Sequence, residues 1–68
     1  MDDLQLFSAA YNAFNKGVPP EYVFYIDDLC GASAEDVEKC VDFYSDIRDN
    51  GVIWAEGYKL KLQKDAKS

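Results

Sequence analysis

The sequence predicts a mainly α domain, three helices followed by a small C-terminal β-hairpin. Three observations carry this expectation. Apolar residues recur at three- and four-residue spacing through residues 4–14 and 37–47, the period of a helix buried along one side. Gly17, Gly31 and Gly51 fall where the helical patterns stop. From Val52 onward the apolar period changes to two, centred on Glu56-Gly57.

The first helix is expected over residues 3–16. Leu4, Phe7, Tyr11 and Phe14 share one face, and Leu6, Ala9, Ala10 and Ala13 widen it. Asp2 with Gln5 three residues later reads as a capping box; Lys16 and Gly17 are C-terminal signals, and Pro19-Pro20 prevents continuation. A second helix over 20–30 starts with Pro20 in its first turn and sets Tyr22, Tyr25, Ile26 and Leu29 on one face. Its competitor is a short strand or extended piece, because Tyr22-Val23-Phe24-Tyr25-Ile26 is also an unbroken β-favouring run. The third helix, 33–50, opens on Ser33 with Glu35 and Asp36 in its first turn. It carries Val37, Cys40, Val41, Tyr44 and Ile47 inward and closes at Asn50-Gly51. The hairpin spans 52–62 with a two-residue turn at Glu56-Gly57. Ile53, Tyr58, Leu60 and Leu62 then lie on the inner face and Trp54, Lys59 and Lys61 on the outer one. Residues 63–68 read as a frayed tail.

Sixty-eight residues suit one domain, 1–68, with a core that must be well filled to stand alone. The material is present: 49% of residues are apolar, including five Tyr, four Phe and one Trp, which sets the chain apart from a disordered acidic segment. No apolar run reaches a membrane span, and the start Met1-Asp2-Asp3 lacks the basic region of a signal peptide, so a soluble cytoplasmic protein is expected. Cys30 and Cys40 read as small buried residues in a reducing compartment; the competing disulfide would be incidental there. With no histidine in the chain, neither a metal site nor a cofactor is expected.

Charge is distributed unevenly. Twelve of the thirteen carboxylates lie in the first 56 residues, beside only Lys16, Lys39 and Arg48, whereas the last twelve residues hold four lysines and one acid. The outward positions of the third helix are Glu35, Asp36, Glu38, Lys39, Asp42, Ser45, Asp46 and Asp49.

Ile26-Asp27-Asp28-Leu29-Cys30-Gly31-Ala32-Ser33, then Val37 and Val41, then Gly51-Val52-Ile53, resemble the second helix, turn, recognition helix and wing of the winged helix-turn-helix superfamily, across residues 3–62. The resemblance implies a third helix that enters the major groove of DNA. This chain departs from the pattern there: the helix is nearly one turn longer, and its outward carboxylates would meet phosphates, so groove insertion should be repelled. The implied wing escapes that objection, since Lys59 and Lys61 flank Trp54 with Arg48, Lys64 and Lys67 nearby in sequence.

An enzyme is disfavoured, because the chain has no histidine, nucleophile elbow, Gly-rich phosphate loop or cysteine beside a base. Asp27-Asp28 and Glu35-Asp36 are not set in a calcium loop. The expected function is a small non-enzymatic regulator or inhibitor, of the kind mobile elements encode. Its acidic face, Asp27, Asp28, Glu35, Glu38, Asp42, Asp46 and Asp49, would dock on a basic protein partner, itself suited to binding nucleic acid. The bland alternative is that these acids only keep an aromatic-rich protein in solution. A second reading is a homodimeric DNA-binding transcriptional regulator that touches DNA through the wing residues Trp54, Lys59 and Lys61. Trp54 itself fits a cation–π pair, a binding hot spot or, with a register slip, the core. The first helix offers a dimer surface, with Phe7/Tyr11 and Leu6/Ala10/Ala13 both apolar.

Overall fold

The computed structural model describes residues 2–25, 29 and 31–67. In chain order it contains α1 (Asp3–Asn15), a 3-10 helix (Pro20–Tyr25), α2 (Ala34–Asn50) and α3 (Val52–Lys67). No strand occurs among the described residues.

Each boundary has a local cause. At the start of α1 the Asp2 carboxylate accepts from the Gln5 N–H at 2.8 Å, and the Asp2 N–H donates to Gln5 Oε1 at 3.1 Å, so two otherwise orphaned donors are satisfied reciprocally. Its end is a Schellman motif: Gly17, at φ +75°, donates to the Phe14 carbonyl and Val18 donates to that of Ala13. The Tyr44 hydroxyl donates to the Val18 carbonyl at 2.6 Å and so holds this turn against α2. A second capping box, Ser33 with Asp36, starts α2. Its C-cap is Gly51, at φ +96°, whose N–H bonds to the Ile47 carbonyl at 2.8 Å.

The segment after Pro20, expected as an α-helix to residue 30, winds instead as a 3-10 helix over Pro20–Tyr25; Ile26–Asp28 and Cys30 lie outside the described residues. Pro20 lacks an N–H, and the first bond runs from Tyr22 N–H to the Pro19 carbonyl, an i to i+3 closure. β-branched and aromatic residues also gain little from an α-helical turn here.

The expected hairpin is absent: residues 52–62 are helical, within α3, and so are residues 63–67, expected as a frayed tail. Trp54, Ala55, Tyr58 and Leu62 stand at i, i+1, i+4 and i+8, which a helix gathers on one side and a strand does not. Ala55 is fully buried, and Trp54, Tyr58 and Leu62 pack on the core. The cost is that Ile53 and Leu60, which the hairpin would have turned inward, are left outside at 88% and 59% exposure.

Phe7 sits at the middle of the core. Its ring meets Phe43 at 5.3 Å edge-on, Tyr58 at 5.0 Å and Trp54 at 6.3 Å, so that one residue of α1 ties α2 and α3 together. On the neighbouring side of α1, Leu6, Ala9, Ala10 and Ala13 are buried, the alanines allowing close approach. Of the residues expected to offer a dimer surface on α1, Leu6, Phe7, Ala10 and Ala13 are buried within the monomer and Tyr11 is partly buried.

Candidate functional site

Helix geometry makes the acids of α2 a single line. Glu35, Glu38, Asp42, Asp46 and Asp49 follow one another at spacings of three, four, four and three; at 100° per residue they fall within about 80° of arc, and at 1.5 Å rise they extend over about 21 Å. All five are exposed. The opposite side of α2 carries Val37, Cys40, Phe43, Tyr44 and Ile47 into the core, so the helix cannot roll to hide the charges.

Little opposes those charges locally. Lys39 is engaged by Asp3 of α1 at 2.6 Å, an interaction that holds its ammonium pKa above the ordinary value through the hydrogen bond and the charge of Asp3. Arg48 reaches its neighbour Asp49, at 3.8 Å. Asp36 is separate from the line and serves the cap. Desolvation, the largest single influence, opposes ionisation, but the Ser33 N–H and hydroxyl together with the positive charge of the amino terminus hold its carboxyl below the usual value. Among the described residues no cation forms an ion pair with Glu38, Asp42 or Asp46. Like charges at i and i+4, as in Glu38/Asp42 and Asp42/Asp46, each destabilise a helix by about 0.2–0.5 kcal/mol.

Beside the middle of this line lies a groove, open to solvent and of about 500 Å³, between the 3-10 helix and α2. Pro20 and Val41 form its apolar part, and Glu21, Glu38 and Asp42 are its charged members. Sequence reasoning missed Pro20, Glu21 and Val41 as site residues, because only the packing of the 3-10 helix on α2 brings them to the acids. Asp27 and Asp28, assigned from sequence to the same face, lie outside the described residues.

The residues assigned to the wing do not form one surface. Trp54 is half-buried and stacks on Tyr58 at 5.2 Å with 22° between the rings. Lys59 turns to the far edge of α3 and lies over the Tyr11 ring, 5.6 Å from its centroid, while the Tyr11 hydroxyl donates to Glu56 at 3.3 Å. Lys61, seven residues after Trp54, is exposed along the Trp54 edge. With the hairpin gone, the reading of DNA contact through a wing goes with it.

Cys40 is buried and its Sγ donates to the Leu6 carbonyl at 3.5 Å; Cys30 lies outside the described residues. Among the described residues no cluster of His, Cys, Asp and Glu is placed to hold a metal ion, and no helix is long and apolar enough to cross a membrane.

No protein-family model matches the chain, and no curated protein or solved structure matches it. The winged-helix likeness therefore rests on the sequence residues alone, and those assigned to the wing fold as a helix.

Proposed function

We propose that this protein is a non-enzymatic regulator or inhibitor whose α2 ridge docks on a basic protein partner, with an apolar side chain of that partner seated over Pro20 and Val41. The supporting observation is the line of five exposed carboxylates, uncompensated through Glu38, Asp42 and Asp46, that borders an apolar groove. Charge that served only solubility would cost less if lysines alternated at i+4, where attraction replaces repulsion. The ridge steers a cationic surface by long-range attraction, and the groove supplies the desolvated contact that slows dissociation. A partner that ordinarily holds nucleic acid suits this arrangement, because the ridge offers a row of anions where that partner expects phosphates.

The test is calorimetric titration with an amphipathic peptide in which a leucine is flanked by lysines, at about 50 mM salt, where exposed charges are least screened. Binding is expected to weaken about tenfold or more, or ~1.4 kcal/mol, in Asp42→Lys with Asp46→Lys. In stopped-flow kinetics with the same peptide, Val41→Ala should raise the dissociation rate with little effect on association. Equal binding by wild type and the charge-reversed protein defeats this reading. So does tighter binding to random duplex DNA than to the peptide.

A further inference from the structure

The outward face of α3 is the opposite of the α2 ridge. Ile53, Gly57, Leu60 and Lys64 recur at i, i+4, i+7 and i+11, within about 60° of arc and on the side away from buried Ala55 and partly buried Leu62. Ile53 at 88% and Leu60 at 59% are among the most exposed large apolar side chains described. A Cβ added at Gly57, midway between them, would meet no atom of the described residues within 4 Å, so the face is open at its middle.

We infer that this face pairs with the same face of a second copy, the two α3 helices running antiparallel and crossing near Gly57. The arrangement is self-complementary, as a two-fold interface requires. A dyad midway between residues 56 and 57 sets Ile53 of each copy against Leu60 of the other, in two identical layers. Gly57 between the layers lets the backbones approach closely. Charge agrees with the direction: Lys61 and Lys64 lie toward the C-terminal end of α3, and antiparallel pairing carries them toward the partner's α3 N-terminus, which directly follows Asp46 and Asp49 of α2. The helix pairing also opposes the two macrodipoles favourably. Sixteen residues give a contact about 24 Å long and about 10 Å wide. A specific interface needs about 500 Å² from each partner, near one ninth of the 4535 Å² surface of this chain, so a single helix face gives a weak, concentration-dependent dimer. The groove and the ridge from Glu35 to Asp42 stay available in it, and only the Asp46–Asp49 end of the ridge faces the partner's lysines.

Sedimentation equilibrium across a range of concentrations is the test. Wild type should shift from monomer to dimer on concentration. Ile53→Lys and Leu60→Glu, each with wild-type helicity by circular dichroism, should remain monomeric alone. Mixed in equal amounts they should associate again, because the antiparallel pair then keeps one Ile53–Leu60 layer and sets the introduced lysine against the introduced glutamate in the other. A wild type that stays monomeric at every concentration overturns the inference, as does dimerisation unaffected by either substitution. A mixture that fails to associate overturns the antiparallel pairing.

Discussion

α2 and α3 are helices of similar length packed on the same α1, and their outward faces differ in kind. The face of α2 is a row of carboxylates with an apolar groove beside it; that of α3 is an isoleucine and a leucine separated by a glycine and followed by lysines. The inward faces, by contrast, meet at the same aromatic ring, Phe7. The difference teaches that a single small core can present two surfaces of opposite chemistry, because residues at 0% to 8% exposure fix the fold and leave the outer arcs of both helices unconstrained by it.

That contrast breaks outright if α3 is not docked as a helix, and two substitutions test it together. Ala55→Asp buries an unpaired charge against Phe7 and its neighbours and should cost about 3–5 kcal/mol, enough to unfold most molecules of a domain this small; urea denaturation followed by far-UV circular dichroism reads it. Ile53→Asp, two residues away, should change stability by no more than about 0.5 kcal/mol at concentrations where the chain is monomeric, since the side chain then stands in solvent. A hairpin would reverse the burden, because Ile53 would then be internal.

Next in size is the tie between α2 and the turn that leads to the groove. Tyr44→Phe removes the 2.6 Å bond to the Val18 carbonyl and should cost about 1–1.5 kcal/mol by denaturant midpoint, with looser peptide binding because the 3-10 helix follows that turn. Ser33→Ala removes the α2 cap and should cost about 1 kcal/mol, but should leave the ridge and its binding in place.

The smallest effects are electrostatic. Asp36 has its folded pKa lowered, with desolvation outweighed by the Ser33 hydrogen bonds and the positive charge of the amino terminus together. Its stabilising contribution is therefore present above the ordinary carboxylate range and lost as pH falls through the folded value. Lys39 has its pKa raised by Asp3, so its contribution is complete below the ordinary lysine range and lost as pH rises through the raised value. Both groups lie at the surface in reach of solvent ions, so added salt should flatten both limbs in a pH series of thermal midpoints.

Local chemistry made much of this legible from sequence. Asp2 with Gln5, Ser33 before Asp36, and Gly17 and Gly51 past helix ends all act through bonds that span four residues or fewer, and each is found in its expected role. The α2 acids were legible too, since spacing alone aligns them. What failed was 52–62. Tyr58-Lys59-Leu60-Lys61-Leu62 alternates as a strand does, and Glu56-Gly57 imitates a turn, while the helical set Trp54, Ala55, Tyr58 and Leu62 overlaps it and includes a small residue that carries little hydrophobic signal. Only the site offered by Phe7 and Phe43 decides between the two, and that site is made by distant parts of the chain. The groove was invisible for the same reason: Pro20 and Glu21 are about twenty residues from Val41 in sequence.

The most direct measurement of the division between the two faces is a 15N-edited NMR titration of the protein with the lysine-flanked leucine peptide at low salt. Shift changes should gather at Glu21, Glu38, Val41, Asp42 and Asp46 and should spare Ile53, Gly57 and Leu60. Changes centred on Ile53 and Leu60, or none along α2 at saturating peptide, would contradict it.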